Sequence, residues 1–389
     1  MNISEQGQWG PPPNVSRDTV QMSTAAKVAT SVVYGTLLLS GTAANLLVIW
    51  VVWVSSGRRR LMEHMASMAC SDLLILTVGL PCELYTVIWS PHPWPAGNAG
   101  CKGFYLLWEV CSYASIFNVL TFSLERYVAV CHPMRTVLMA TSRTRRVIGL
   151  VWLMATIAAL PVAFAVGVED AWEPFRPRGE TRSPLYICTN VSGRRGLFQL
   201  VIYVSFCLYL LVLLLVAFTC RQMVKTILGD GRVSIVFQRT NPAGKVITKS
   251  KEMRRQSVVM LGCIVGTLAI CWFPFQARRL MTAVQSKTQW TEHYYRSYLM
   301  LQPITNTLYY ISSASNLFLY NVTSRHFRKM FLQVLGGCCR SRSVPSENGR
   351  HSHTLRPEAR IPFIEWETTL LQGQWRVKSE KLPSCSGVR

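Results

Sequence analysis

Seven runs of roughly twenty residues or more, each with little or no charge, dominate this chain of 389 residues. A helix rises about 1.5 Å per residue and the hydrocarbon core of a bilayer is about 30 Å thick, so each run is long enough to cross a membrane. We predict spans over Val28–Val54, Met65–Ser90, Gly103–Leu124, Val147–Val168, Gly196–Cys220, Ser257–Ala277 and Ser297–Tyr320. Only 15% of the residues are charged, which also favours lipid as the surrounding solvent. The sequence therefore predicts an all-α fold, a bundle of seven transmembrane helices.

Basic residues between these runs predict how the chain crosses the membrane. The net charge is +22, but the Lys and Arg residues cluster in short segments and do not cover one folded face. The clusters follow the first, third and fifth runs and comprise Arg58 to Arg60, Arg143 to Arg146, and nine Lys or Arg residues from Arg221 to Arg255. Cytoplasmic loops carry such an excess, so we expect a multi-pass plasma membrane protein with its N-terminus outside. The pattern predicts membrane lipid as a partner and argues against nucleic acid.

Four regions are predicted along the chain. They are an extracellular tail (1–27), the helical bundle (28–322), an amphipathic helix at the inner membrane surface (323–337) and a disordered cytoplasmic tail (338–389). The amphipathic helix is predicted from apolar residues at helical spacing, namely Phe327, Met330, Phe331, Val334 and Leu335.

Several residues outside the spans match modification motifs. Sequons on the outer side predict glycosylation at Asn2, Asn14 and Asn190. Cys338 and Cys339 follow the amphipathic helix directly, where palmitoylation is expected.

One disulfide is predicted at the outer face. Cys101 precedes Arg126 by 25 residues, or about 37 Å of helix, so the same helix carries both residues across the membrane. Cys188 lies in the second outer segment, and a Cys101–Cys188 bridge would hold that segment over the bundle. Cys82 is the competing partner, although its place within a span makes it the weaker candidate.

Asp72 is an ionisable residue in the middle of the second span, where a charge is unfavourable and needs a reason. One interpretation is a buried carboxyl held by hydrogen bonds. The other is a sodium or proton site that Ser115, Ser312 and Asn316 complete from other spans, because hard cations prefer oxygen ligands. An allosteric sodium ion is the only cofactor that the sequence suggests.

A series of short motifs occurs in order along the spans. It comprises Asn45, Asp72, Cys101, Glu125-Arg126-Tyr127, Trp152, Cys271-Trp272-Phe273-Pro274 and Asn316-Leu317-Phe318-Leu319-Tyr320. This series resembles the signature of the rhodopsin-like G-protein-coupled receptors over residues 28 to 335. Three further segments are most similar to the ghrelin, motilin, neurotensin and neuromedin U receptor group, including its zinc-responsive orphan receptor; they are Ser67–Asp72, Glu109–Ala114 and Arg126–Pro133. The resemblance implies that an extracellular peptide, small molecule or ion activates a heterotrimeric G protein through this chain, which has no catalysis of its own.

The resemblance also implies a switch at the inner face. In the resting state Arg126 is expected to pair with Glu125, and an agonist would move the sixth helix about Pro274, since proline removes a backbone hydrogen bond and kinks a helix. The expected switch residues are Glu125, Arg126, Tyr127, Pro274 and Tyr320. Receptor kinases and arrestin are the partners expected for the tail.

Glu109 and Arg279 occupy positions where the related peptide receptors hold an acid and a base. We expect an ion pair that lines the ligand pocket, with Glu83 and Trp272 as further ligand-side residues. A purely structural pair is an equally open interpretation. Trp272 could likewise be an ordinary core residue.

The chain departs from the family pattern in three ways. Leu317 replaces the usual proline of the seventh helix, and the fifth run contains no proline either, so a change in basal activity is expected. No histidine precedes Val28, and Gln289 stands where an acidic zinc ligand would be expected, which argues against a zinc response. His92 and His293 remain in separate outer segments.

Other function classes fit less well. An opsin needs a lysine in the seventh span, and Ser297–Tyr320 has none. Transporters often contain internal repeats, and none is visible between the two halves of this chain. The predicted spans contain no histidine and no paired carboxylates, so no catalytic constellation is evident.

Overall fold

The computed structural model describes residues 23–54, 60–89, 94–132, 141–170, 186–236, 244–285, 291–323, 327–334, 361–369 and 372–380. We number the helices α1 to α8 and the strands β1 to β4 in chain order. The continuous helices are α1 (Thr24–Val54), α3 (Gly97–Cys131), α4 (Thr141–Ala165) and α5 (Arg195–Val236). The last of these has 42 residues, and it is unbroken because the fifth run lacks proline.

Helices α2, α6 and α7 are interrupted. Helix α2 begins as Arg60–Leu74 and continues through π-helical Ile75–Gly79, α-helical Leu80–Glu83 and π-helical Leu84–Trp89. Helix α6 consists of Gly244–Thr267, π-helical Leu268–Trp272 and Phe273–Val284. Helix α7 consists of Glu292–Ala314 and Asn316–Thr323, and a further helix, α8, covers residues 327–334. Pro81 and Pro274 adjoin π-helical segments, as expected where proline removes a backbone donor.

The described helices form a closed bundle. Helices α1 to α6 each contain a stretch long and apolar enough to cross a membrane by length and composition. Helix α7 is more polar and broken at Ser315, and it packs between α1 and α6, closing the ring. Within this bundle most buried aromatic and aliphatic residues form one core that all seven helices contribute to, and a smaller cluster lies between α4, α5, β1 and α6.

The fourth span is shorter than predicted. Helix α4 ends at Ala165, and Val166–Asp170 forms strand β1, which pairs antiparallel with β2 (Tyr186–Asn190). The apolar residues Val166 and Val168 extend the hydrophobic run in sequence, but their β-branched side chains suit a strand. The β1–β2 hairpin lies between α4 and α5 in the chain, and Val168 lies opposite Cys188 in it.

Residues 339–389 form a second compact unit. Its described part is an antiparallel hairpin of β3 (Ile361–Thr369) and β4 (Gln372–Glu380), in which Trp366 lies opposite Trp375. This differs from the expected absence of regular structure in the tail. Strand β3 is rich in aromatic and β-branched residues, which favour strands, and β4 contributes Trp375 and Val377. A two-residue connection suits a hairpin.

Candidate functional site

An ion pair joins α3 to α6 in the half of the bundle that contains Cys101. Arg279 Nη2 donates to Glu109 Oε1, and Arg279 Nη1 donates to Ser205 Oγ of α5 over 3.3 Å. The Glu109 side chain is only 1% exposed, so the pair is desolvated. Its second oxygen, Oε2, has no hydrogen-bond partner among the residues that the structure describes. The structure therefore brings together the acid and the base that the sequence singled out, and leaves one acceptor open.

Glu83 of α2 lies at the centre of a separate buried network. Its carboxylate accepts from Tyr34 Oη at 3.0 Å, from Asn306 Nδ2 at 2.6 Å and from Tyr310 Oη at 2.5 Å. These donors come from α1 and α7, and Glu83 is 3% exposed. Each carboxylate oxygen of Glu83 thus has at least one protein donor. The arrangement ties three helices together, whereas Glu109 retains an oxygen without a donor.

Arg278 is a buried residue of α6 that the sequence analysis did not select. It donates to Thr305 Oγ1 at 2.8 Å, to Asn306 Oδ1 at 2.7 Å and to Tyr298 Oη at 3.0 Å, all on α7. Asn306 therefore accepts a hydrogen bond from Arg278 and donates one to Glu83. Its side-chain amide links the buried guanidinium to the buried carboxylate. The predicted span stopped at Ala277, which placed Arg278 outside it. In the sequence, the feature that could have drawn attention to Arg278 was its position next to Arg279, which was expected to line the ligand pocket.

Aromatic rings fill the bundle below the Glu109–Arg279 pair. Trp108 stacks on Tyr309 with ring centroids 5.4 Å apart, and Tyr309 stacks on Phe275 at 4.7 Å. Tyr309 also contacts Trp272, with centroids 5.1 Å apart. Gly79 of α2 makes room for Trp108, because a Cβ there would lie 3.2 and 3.3 Å from two atoms of the indole. The stack connects the outer polar layer to Trp272 through direct ring contacts.

Asp72 borders a cavity of about 50 Å³ below Trp272. Asn316 Nδ2 donates to Asp72 Oδ2, and the Ser115 hydroxyl is 3.0 Å from the Ser71 hydroxyl. The predicted oxygen-bearing residues all line this cavity; they are Asp72, Ser115, Ser312 and Asn316. The structure thus brings the four together from α2, α3 and α7.

At the end of α3 that carries Glu125, the carboxylate lies against α2 and α4. His64 Nε2 of α2 is 3.4 Å from Glu125 Oε1, and Thr144 of α4 donates to the same oxygen at 3.1 Å. The charge of Arg126, the partner that the family resemblance implies, also acts on Glu125. The Arg126 guanidinium lies 5.7 Å above the ring of Phe122.

The other switch residues lie close to this end. Tyr127 packs edge-on against His132, with ring centroids 5.7 Å apart. The Tyr320 hydroxyl of α7 is 3.8 Å from the sulfur of Met68, and its ring packs against Phe327 of α8. Pro274 is the second residue after the π-helical segment of α6.

A family model now decides the class of this chain. The model for the seven-transmembrane receptors of the rhodopsin family matches residues 44–320. The chain belongs to this family. The fold predicted from the seven apolar runs is thereby confirmed, and so is the receptor class: a rhodopsin-family receptor of the plasma membrane converts the binding of an extracellular ligand into activation of a heterotrimeric G protein.

Three relatives place this rhodopsin-family receptor more narrowly. Human G-protein coupled receptor 39 is 36% identical over 360 residues, covering 87% of this chain and 78% of the relative. Rat neurotensin receptor type 1 is 33% identical over 376 residues, covering 92% and 84%. Mouse neurotensin receptor type 2 is 34% identical over 349 residues, covering 81% and 83%. The predicted likeness to the ghrelin and neurotensin receptor group is confirmed.

The outer disulfide of this rhodopsin-family receptor is also confirmed. Cys101 and Cys188 are bonded, with their Cα atoms 5.6 Å apart, and Cys82 is free. The bond attaches strand β2 to the N-terminal end of α3. It therefore fixes the β1–β2 hairpin over the side of the bundle that contains Glu109.

Several predicted modification sites lie outside the described residues. These are Asn2, Asn14, Cys338 and Cys339. Asn190 is the last residue of β2, and its sequon partner Ser192 donates to Glu169. The structure has α8 at residues 327–334, within the predicted amphipathic range of 323–337.

Proposed function

We propose that this receptor binds a peptide in an outer pocket built around Glu109 and Arg279. The observation that carries the proposal is the open oxygen of Glu109, which is buried beside a base from another helix. Buried acceptors in proteins are almost always hydrogen-bonded, so a ligand that supplies N–H groups complements this oxygen. A peptide does so with its backbone amides or its terminal amine. Two of the relatives are named neurotensin receptors, which also favours a peptide.

A screen of transfected cells tests the proposal. Short peptides, with neurotensin among them, form one arm and divalent metal ions form the other, and G-protein activation is the readout. We expect a peptide response that disappears when the two charges are exchanged in Glu109→Arg with Arg279→Glu, while surface expression persists. A matched exchange, Glu63→Arg with Arg145→Glu, alters an exposed pair of 2.8 Å between α2 and α4 and should preserve the response. A peptide response that survives the Glu109–Arg279 exchange contradicts the location of the pocket. A response to metal ions but to no peptide contradicts a peptide ligand.

We further propose that a sodium ion binds in the cavity beside Asp72. A carboxylate, two hydroxyls and an amide group line this cavity, and such oxygen donors suit a hard cation. Sodium there would neutralise Asp72 and stabilise the packing of α2 against α3 and α7. The melting temperature of the purified receptor in sodium chloride and in choline chloride of equal strength tests this. We expect a higher value in sodium, lost in Asp72→Asn, and equal values for the parent contradict the site.

The orientation is part of the proposal. Disulfides form in oxidising compartments, so the end that contains Cys101 and Cys188 is assigned to the outside. The basic clusters lie at the opposite end of the bundle, for example in the first turns of α2 and α4 at Arg60 and Arg143, on the side assigned to the cytoplasm. An N-terminal epitope tag should then be stained on intact cells and a C-terminal tag only after permeabilisation. Kinase and arrestin binding, glycosylation at Asn190 and palmitoylation at Cys338 and Cys339 follow from the same topology.

A further inference from the structure

Tyr209 is a buried tyrosine in the middle of α5, with only 1% of its surface exposed. Its hydroxyl donates to the backbone carbonyl of Leu268 over 3.0 Å. Leu268 is the first residue of the π-helical segment of α6, and Trp272 is the last. Pro274, two residues further on, has no N–H to donate, and helices interrupted in this way within a membrane depend on neighbouring side chains to satisfy their backbone groups. The Tyr209 hydroxyl supplies such a donor at the start of the interrupted turn.

The ring of Tyr209 contacts the other end of the same segment. It stacks on the indole of Trp272, with ring centroids 6.5 Å apart and the two planes inclined by 13°. The indole nitrogen of Trp272 donates to Ser312 of α7 on its other side. Tyr209 therefore contacts both ends of the π-helical segment from α5, while α7 holds the segment through Ser312.

At the end of the bundle opposite Cys101, the helices are packed together. Met223 of α5, Leu261 of α6 and Tyr320 of α7 belong to one buried core, and each is at most 1% exposed. The agonist-driven movement of α6 about Pro274 that the family resemblance implies would separate these side chains. The contacts of Tyr209 therefore belong to the closed arrangement that precedes this movement.

We propose that Tyr209 is a positioning residue for G-protein activation. Its hydroxyl holds the carbonyl of Leu268 and thereby keeps α6 in the closed arrangement. Ser205 lies one turn before Tyr209 on the same face of α5 and accepts from Arg279 over 3.3 Å, so this face contacts both the proposed ligand pocket and the bend of α6. The inference rests on the G-protein coupling of the family and requires no knowledge of the agonist.

Basal nucleotide exchange on heterotrimers of each G-protein class, measured without agonist on the full-length receptor in nanodiscs, tests the proposal. Variant Tyr209→Phe keeps the ring but removes the hydroxyl. We expect exchange about fivefold faster than the parent, because one hydrogen bond of this kind shifts an equilibrium by about that factor. Replacement of Tyr209 by 4-aminophenylalanine restores an N–H donor at the same place and should return the rate to within about twofold of the parent.

Tyr294→Phe is the matched control. Tyr294 of α7 also donates its hydroxyl to a carbonyl of α6, that of Met281 over 2.9 Å, but this carbonyl lies on the far side of Pro274 from Leu268. Its loss should leave basal exchange at the parent rate. Surface expression and melting temperature report folding for every variant. If the space left by Tyr209→Phe prevents folding, 4-fluorophenylalanine at the same position fills it without adding a donor and should give the same acceleration.

Three results would overturn the proposal. The first is a folded receptor that lacks the Tyr209 donor but exchanges no faster than the parent. The second is an acceleration by 4-aminophenylalanine as large as that by Tyr209→Phe, which would show that the donor is irrelevant. The third is an equal acceleration by Tyr294→Phe, since the effect would then follow the loss of any bond to α6.

Discussion

The indole nitrogen of Trp272 donates to the hydroxyl of Ser312 over 2.9 Å, which joins the bend of α6 to α7 directly above the Asp72 cavity. Ser312 in turn donates to the carbonyl of Tyr309, the residue that stacks against Trp108 and Phe275. The Ser312 hydroxyl thereby connects the stacked ring of Tyr309, the segment of α6 next to Pro274 and the proposed sodium site. Ligand-driven changes in the outer half have a continuous chain of contacts towards the inner half.

Loss of this hydroxyl should destabilise the resting arrangement. In Ser312→Ala the buried indole N–H has no acceptor, which costs about 1–3 kcal/mol. We expect a lower melting temperature and higher basal nucleotide exchange, since α6 is then held less firmly to α7. The control is Thr156→Ala, which removes an exposed hydroxyl bonded only to the Trp152 carbonyl of its own helix. A variant with unchanged melting temperature and basal exchange would show that the bond is not a restraint.

Arg278 should be among the residues most important for stability. Variant Arg278→Met removes three hydrogen bonds to α7 and leaves Glu83 without its linked cation, so we expect a loss of about 3–5 kcal/mol in the unfolding free energy. The comparison variant is Arg145→Met at the exposed pair with Glu63, which should leave the melting temperature unchanged. Thermal unfolding in one detergent measures both. Equal effects of the two substitutions would contradict the importance of the buried network.

Gly79 should be intolerant of a side chain because of Trp108. A Cβ at this position meets the indole at 3.2 Å, so Gly79→Ala should lower stability by about 1–3 kcal/mol through overpacking. The smaller ring of Trp108→Phe should relieve that loss in the double variant. Gly262→Ala is the matched control, since nothing lies within 4 Å of the added atom, and it should be neutral or slightly stabilising. If the double variant is no more stable than Gly79→Ala, contact with Trp108 is not the cause.

Leu317 should influence basal signalling. Helix α7 breaks at Ser315 although residue 317 is not proline, and the Ser313 carbonyl near the break accepts from Asn45 Nδ2 at 2.9 Å. Variant Leu317→Pro adds a second constraint at this break and is expected to fold, because the acceptor four residues earlier already has a donor. We expect altered basal nucleotide exchange at unchanged surface expression. Unchanged basal and agonist-stimulated exchange would mean that the Ser315 break alone determines the geometry.

The sequence predicted the helices better than their ends. An apolar run of about twenty residues predicts a membrane span by its length, so seven spans could be predicted. The run does not show where its helix ends: Val166 to Val168 is as apolar as the helix before it but forms a strand. The end of the sixth span at Ala277 excluded Arg278, and the start of the second at Met65 excluded His64. Charged residues near the ends of apolar runs can belong to the buried helix, and composition alone does not distinguish them from loop residues.

Pairings within the site were only partly predictable. Cys101 with Cys188 and Glu109 with Arg279 followed from position along the helices and from family resemblance. The link from Glu83 through Asn306 to Arg278 joins α2, α7 and α6, and only the three-dimensional packing brings those residues together. The contacts of Glu125 with His64 and Thr144 were not predictable for the same reason, because these residues lie on α2 and α4.

The 42-residue length of α5 has a mechanical consequence. At the rise of an α-helix it is about 63 Å long, roughly twice the thickness of the hydrocarbon core. Tyr209 in its middle donates to the Leu268 carbonyl, in the π-helical segment of α6. A rigid rod attached there behaves as a lever: Val236 lies 27 residues, or about 40 Å, beyond Tyr209, so a tilt of about 5° about Tyr209 displaces that end by about 3.5 Å.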